Sequence, residues 1–198
     1  MLGGGSTTRP MNAPLLEGLL GRYSLGIKYL GEPGPDAAQL RTMAAAALHA
    51  PDHEQLVPFR FAVVRGAARQ RLAQLYMQAA RDAGKPEATV QVDGERALRA
   101  PVTVAVVARI DLGHPVVPAH EQWCAVGGAI ANFMNAVHAL GYAGKMLSGA
   151  KVRQPAIQAA FCGPGETLVG WIAIGTALRP PAAGHTKPGV DQVLTDWP

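Results

Sequence analysis

The segment from Gln122 through Gly144 contains no Asp, Glu, Lys or Arg, and this limits the folds open to the chain. A stretch of this length without charge either crosses a membrane or lies inside a protein core. Polar side chains at Asn132, Asn135 and His138 interrupt it, and no second apolar stretch of comparable length occurs. We therefore predict a long, buried central helix and no membrane span.

Shorter elements alternate around this central helix. Hydrophobic periodicity predicts helices at about 15–21, 36–50, 67–83, 87–99 and 154–161, the second of them capped by Asp36. Runs of β-branched and other apolar residues predict strands at Phe59–Val64, Val102–Val107, Ala143–Leu147 and Thr167–Ile174. Gly141 is predicted to end the central helix.

The size and composition of the chain fit one globular domain. With 198 residues, 48% of them hydrophobic, the chain can bury one substantial core. Residues 1–13 are rich in Gly, Ser, Thr and Pro, and we interpret them as a disordered leader before a single domain at 14–198. From about residue 176 the chain is dense in Pro and Gly, which suits an extension that packs on a second subunit.

The charges and cysteines narrow the possible partners. The formal net charge is +4, without the block of Lys or Arg that is typical of a nucleic-acid-binding tail, so we expect no nucleic-acid partner. A small positive excess suits an anionic small ligand. Cys124 and Cys162 lack C-x-x-C spacing, and we interpret them as buried free thiols of a cytoplasmic protein, not as a zinc site.

Two short segments carry side chains that could bind a ligand. Arg22 and Ser24 follow the first helix, where a guanidinium group and a hydroxyl could hold a phosphate. His49 and His53 are four residues apart, a spacing that would suit a metal ion on a helix. Pro51 lies between them, and because proline disfavours the helical state of the preceding residue, a helix end followed by a turn is the better prediction.

The common enzyme signatures do not occur in this sequence. The Gly-rich segment Gly141–Gly149 lacks the Gly-Lys-Ser/Thr ending of a P-loop. No predicted strand leads into a G-x-G-x-x-G turn, and there is no G-x-S-x-G nucleophile elbow. If the protein is an enzyme, we therefore expect it to take its reactivity from a cofactor.

Five short motifs occur in a fixed order along the chain. They are Arg22–Ser24, the run His-Ala-Pro-Asp-His at 49–53 followed by Pro58–Phe61, Glu121-Gln122, Gly141–Gly144 with Ser148-Gly149, and Val169–Thr176. Together they resemble the nitroreductase family. The Ala-Pro-Asp-His segment is similar to that of the small FMN-binding bacterial NAD(P)H nitroreductases, and the resemblance covers about residues 15–197.

This resemblance implies a fold, a cofactor and an activity. The expected fold class is α+β, with a central, mostly antiparallel sheet flanked by helices and a C-terminal arm exchanged in a homodimer. Two FMN molecules are expected in the subunit interface. The implied activity is the reduction of nitro compounds or quinone-like acceptors by NAD(P)H in a ping-pong cycle.

The resemblance also implies which residues bind FMN. Arg22, Tyr23 and Ser24 take the positions of the family's Arg-Arg-Ser triplet, which holds the flavin phosphate and part of its tail. His49 and His53 flank Ala-Pro-Asp and are implied to contact FMN, although Arg is common at the position of His49.

Further FMN-binding positions follow from later motifs. Met146, Leu147 and Ser148 match the strand-end triplet that is often Trp-Arg-Ser in relatives, and Lys187 is the candidate for a basic residue that completes the phosphate site. Tyr23 and Leu147 stand where relatives have arginine, so two cations are missing from the expected site.

Two alternatives stay open at this point. The loss of two arginines leaves room for a protein that stores or carries FMN without useful turnover, and the pair His49 and His53 leaves room for a metal-dependent hydrolase. No catalytic side chain is nominated, because hydride arrives at and leaves from the flavin ring itself and protons could come from water.

Overall fold

The computed structural model describes residues 12–181 and 187–197. Within them, five strands form an open sheet in which the strands pair in antiparallel fashion. The strands are β1 (Leu30–Gly31), β2 (Phe59–Arg65), β3 (Val102–Ala108), β4 (Ala143–Leu147) and β5 (Thr167–Ala177). Their order in the sheet is β1-β5-β3-β2. Strand β4 also pairs with β5, along residues 171–175, next to the pairing of β1 with residues 176–177.

Helices cover both faces of the sheet. They are α1 (Ala13–Gly21), α2 (Ala37–Ala47), α3 (Ala68–Asp82), α4 (Glu87–Leu98), α5 (Ala119–Ala139) and α6 (Pro155–Phe161). Asp36 starts α2 with a complete capping box, because its side chain accepts from the Gln39 N–H at 2.8 Å and the Gln39 side chain accepts from the Asp36 N–H at 2.9 Å. Beyond α5, Gly141 has a φ of 83°, which glycine adopts without strain.

Strand β3 lies at the centre of the fold, with all its residues buried. Because side chains alternate along a strand, Val104 and Val106 pack in the core beneath α2 and α5. Ala105 and Val107 face the opposite core, beneath α3, α4 and α6. The expected α+β class with a flanked antiparallel sheet is therefore confirmed as a three-layer arrangement.

The charge-free segment forms the long helix α5, which packs closely on α2. Met43, Ala47 and Ala129 are fully buried between them. A Cβ added at Gly128 would lie 3.2 Å from the Ala50 Cβ, so the glycine allows this close approach. None of the helices in the described ranges combines the length and the apolar character that a bilayer crossing requires.

The structure differs from the predicted elements mainly at their ends. Helix α2 stops at Ala47 rather than near Ala50, ahead of the turn that Pro51 favours. Strand β1 was not predicted because it has two residues, and its pairing with β5 comes from the tertiary fold. That pairing also extends β5 to Ala177, beyond the predicted Ile174.

The predicted leader and C-terminal extension are described only in part. Residues 1–11 of the predicted leader, and residues 182–186 and 198 of the predicted extension, lie outside the described residues. Asn12 caps α1 through its side chain, and Ala13 is already helical.

Both cysteines are free thiols. Cys124 is exposed, against the expectation of burial, because it lies on the outward face of α5. Cys162 is half-buried.

Candidate functional site

The fold brings the segment Arg22–Ser24 beside strand β4. Ser24 and Gly144 form a parallel bridge, and the Leu25 N–H donates to the Gly144 carbonyl at 3.2 Å. Ile27, a few residues further on, lines the same cavity as Leu147 and Ser148. Two motifs that are far apart in sequence therefore lie next to each other, and the structure places the candidate residues 22–24 and 146–148 in one region.

Tyr23 has a packing role at this point. Its ring lies edge-on to that of His138, with centroids 5.9 Å apart and an interplanar angle of 77°. It is half-buried against a small apolar cluster that includes Leu25 and Ala143. An aromatic ring thus occupies the place of the second arginine of the family triplet, and it adds contact area instead of charge.

The side chains of β4 divide between the two faces of the strand. Leu147 packs with Ala143 in the cluster beside Tyr23. Met146 packs on the other side, in the core that α5 covers. Of the two, Leu147 lines the cavity and Met146 does not.

The cavity beside Leu147 has a volume of about 330 Å³ and lies between the sheet and the helices α3 and α4. Its walls are mainly apolar, and the large side chains among the lining residues are Leu72, Tyr76 and Trp171. Trp171 is 3% exposed, and its indole N–H has no hydrogen-bond partner among the described residues.

Positive charge gathers at one end of this cavity around Asp93, whose side chain is 1% exposed. Lys151, Lys85 and Arg96 reach its carboxylate at 2.7, 3.0 and 3.3 Å, and all three line the cavity. Burial by itself raises the pKa of Asp93, but hydrogen bonds from Lys151 and Lys85 outweigh that effect and leave the pKa below its ordinary value. The carboxylate therefore stays ionised, and the cluster keeps a positive excess.

Sequence reasoning missed this cluster and Trp171. A signal was present, because Asp93 lies on the same face of α4 as Val90 and Ala97, where an apolar residue is expected. A carboxylate on a buried helix face requires partners, and here they come from the segment after α3, from α4 and from the turn after β4. Those partners are distant in sequence, so no local pattern identified them.

His49 and His53 lie away from the cavity. His49 is exposed just after α2, and His53 opens a short 3-10 helix at 53–55. The two histidines therefore do not share a helix face, and among the described residues no three His, Cys, Asp or Glu side chains form a group that could hold a metal ion. The His53 ring nitrogen Nδ1 lies 2.8 Å from Glu121 Oε2, at the start of α5.

The backbone after His53 is strained. Glu54, Gln55 and Val57 all have positive φ, at 58°, 55° and 48°. For a β-branched residue such as Val57 this conformation is unfavourable, and the bond from its N–H to the Asp52 carboxylate at 2.7 Å helps to hold it. Backbone strain of this kind often occurs at functional sites, so it favours a functional role for the 49–57 segment.

Helix α5 separates the two groups of candidate residues. Tyr23 contacts His138 near its end, and His53 contacts Glu121 near its start. At 1.5 Å per residue these two contacts are roughly 25 Å apart along the helix. A single chain therefore does not bring His53 to Arg22.

The remaining candidate, Lys187, is exposed in the short segment 187–197.

The three-layer α+β fold holds an apolar, cation-lined cavity whose lining suits a small, partly anionic ligand. Comparison with known families matches residues 19–176 to the family described as "Nitroreductase family". The chain belongs to the nitroreductase family, which is a family of oxidoreductases.

Individual relatives agree with this assignment. The chain is 33% identical over 162 residues to the protein named "Putative NAD(P)H nitroreductase YdjA" of Escherichia coli (strain K12), covering 81% of this chain and 87% of that protein. Among solved structures, a nitroreductase-like protein from Bacillus cereus aligns with a TM-score of 0.79 at 17% identity, covering 97% of this chain and 98% of the other. A protein from Desulfovibrio desulfuricans described as "a putative nitroreductase in complex with fmn" aligns with a TM-score of 0.70 at 20% identity, covering 93% of this chain and 97% of the other.

Proposed function

We propose that this protein is an FMN-dependent oxidoreductase that uses NAD(P)H to reduce nitro compounds or quinone-like acceptors. The observation that carries the proposal is that Arg22–Ser24 lie beside strand β4, whose end, with Leu147 and Ser148, lines a cavity that also has a cationic cluster in its wall. The name of the E. coli relative supports NAD(P)H as the reductant, and the D. desulfuricans structure supports FMN as the cofactor.

The residues of the cavity fit a flavin. Ligand pockets commonly have roughly 300–1,000 Å³ and apolar walls with a few directed polar groups, and this cavity has about 330 Å³. Ser148 and Thr103, whose side chains carry hydroxyls, also line it. A planar ring with several acceptor atoms suits such a lining.

The flavin phosphate needs cations and hydroxyls, and we assign Arg22 and Ser24 to it. Lys145 lies on the same face of β4 as Leu147, so it adds a positive charge near the place where relatives have an arginine. Lys187 remains a proposed further contact. With these residues the phosphate site is less cationic than in relatives with two more arginines.

Bound FMN supplies the hydride chemistry, so the side chains serve to position ligands and exclude water. Leu72, Tyr76 and Trp171 provide the apolar wall against which a ring can stack. Because the reductant and the acceptor would use the same open face, we propose that they bind in turn, as in a ping-pong cycle. We assign no catalytic acid or base.

We further propose that the working form is a homodimer in which His49 and His53 reach the FMN of the partner copy. The roughly 25 Å that α5 places between His53 and Tyr23 supports this proposal, since one chain does not join the two groups. The free cysteines fit a reducing compartment, and we propose the cytoplasm.

The direct test is a visible spectrum of the purified protein, before and after addition of FMN. We expect flavin absorption bands, loss of those bands when NADH or NADPH is added without oxygen, and their return with a quinone or nitroaromatic acceptor. Retained bands after both reductants would instead favour a protein that stores FMN. A colourless protein that binds no added FMN would contradict both functions.

A further inference from the structure

The buried carboxylate of Asp93 has no direct role in the function proposed above. It is enclosed by α4, the segment after α3 and the turn after β4, and it binds a cation from each: Arg96, Lys85 and Lys151. Removing a carboxylate from water is costly, so a protein that needed only to fill this space would use an apolar residue. The arrangement therefore requires another explanation.

The geometry shows what Asp93 does to the three cations. The carboxylate oxygen Oδ1 binds Lys151 and Arg96, and the oxygen Oδ2 binds Lys85. Free lysine and arginine side chains are flexible and extend into solvent. Bound to Asp93, all three line the cavity together with Ser148 and Trp171, and the side chain of Lys151 is only 23% exposed, against 37% for Lys85 and 52% for Arg96.

Lys151 is held most closely of the three. Its ammonium group lies 2.7 Å from Asp93 Oδ1 and 5.4 Å from the centre of the Tyr76 ring, and its side chain is 23% exposed. An ion pair and a cation–π contact together restrict a side chain that otherwise has several freely rotating bonds. The ammonium is thereby kept beside the apolar wall.

We propose that Asp93 is a positioning residue that holds Lys151 and Arg96 against the cavity, so that their charge favours the reduced form of the ligand bound there. This inference rests on the proposed function. Transfer of a hydride from NAD(P)H adds two electrons and one proton to the flavin and therefore one negative charge. Cations fixed beside the ring stabilise that added charge and raise the reduction potential.

The test compares Asp93→Asn with Glu87→Gln. Glu87 lies on the same helix and pairs with Arg81, but it is exposed and does not line the cavity, so it controls for the loss of an ion pair. In the FMN-loaded protein, equilibration with redox dyes measures the potential. We expect Asp93→Asn to lower it, with a fall of about tenfold in the affinity ratio of reduced over oxidised FMN, and Glu87→Gln to leave it unchanged.

The direction of the change is decisive. If Asp93 only neutralised nearby charge, its removal would increase the positive field and raise the potential. A rise, or no change, therefore overturns the proposal. If Asp93→Asn does not fold, Lys151→Gln replaces it and is expected to lower the potential too; an unchanged potential in that variant also overturns the proposal.

A second measurement separates this inference from the proposed function. Reductive methylation of the FMN-free protein, followed by mass spectrometry, reports how freely each lysine reacts, with the exposed Lys28 as the reference. We expect Lys151 and Lys85 to react faster in Asp93→Asn than in the wild type, and equal rates would refute the holding role. A wild-type protein that binds no FMN would refute the proposed function and the redox part of the inference, while the methylation result still decides the holding role.

Discussion

At the scale of single residues, Arg22 carries the most specific assignment. We expect Arg22→Ala to weaken FMN binding while the fold stays intact, because the guanidinium is assigned to the phosphate and is not part of the core. Loss of a charged hydrogen-bond partner commonly costs about 1.5–3 kcal/mol. Titration of the apoprotein with FMN, followed by flavin fluorescence, measures the change, and Arg81→Ala, on the exposed side of α3, is the matched control. Unchanged FMN affinity in Arg22→Ala would remove the phosphate assignment.

Glu166 gives a prediction about pH. The Arg60 guanidinium donates to its carboxylate, with Nε 2.7 Å from Oε1, and this hydrogen bond lowers the pKa of Glu166 from 4.5 to about 2. Because the folded-state pKa is depressed, the stabilisation is present above pH 4.5 and is lost as the pH falls toward 2. Thermal unfolding across this window is expected to show a steeper loss of stability for the wild type than for Glu166→Gln. Parallel curves for the two proteins would show that the pair contributes no pH dependence.

At the scale of elements, the contact between β4 and β5 depends on Gly170. A Cβ at this position would lie 2.3 Å from the Leu147 carbonyl oxygen, a backbone atom that has little freedom to move. Gly170→Ala is therefore expected to separate the end of β4 from β5, to lower stability by about 1–3 kcal/mol and to weaken FMN binding. Chemical denaturation and FMN titration measure the two effects. Gly18→Ala is the control, since nothing lies within 4 Å of its added Cβ, and a Gly170→Ala protein that matched this control would contradict the close contact.

Some elements of this fold can be predicted from the sequence, and the cavity cannot. The helix cap at Asp36, the β-branched and mainly apolar run of β3 and the long helix over the charge-free segment were predictable because each depends on local chemistry. The cavity was not, because Asp93 and Lys151 meet only through the packing of α4 on the turn after β4. Of the candidate residues, Arg22–Ser24 and Leu147–Ser148 came from motifs, and their adjacency came from the bridge between Ser24 and Gly144.

At the scale of the whole molecule, the C-terminal segment presents apolar side chains to solvent. They are Leu178, Val190, Val193, Leu194 and Trp197, the last of them 94% exposed. We expect the full-length protein to be dimeric and a chain that ends at Pro181 to dissociate at lower concentration, since exposed apolar side chains of this kind need a covering surface. This cut keeps Leu178, whose N–H donates to the Tyr29 carbonyl at 2.9 Å, and Arg179, which lies over the Tyr29 ring. Analytical ultracentrifugation compares the two proteins, and equal dissociation constants would contradict a role of the segment in assembly.

The length of α5 has a consequence for experiments that mix copies. Because His53 contacts the start of this helix and Tyr23, next to Arg22, contacts its end, substitutions at His53 and at Arg22 would remove different halves of the proposed site. When Arg22→Ala and His53→Ala chains are refolded together, a mixed pair in the proposed homodimer would carry one centre with both defects and one centre with neither. Rescue of activity from two inactive preparations would therefore report directly on where each half originates.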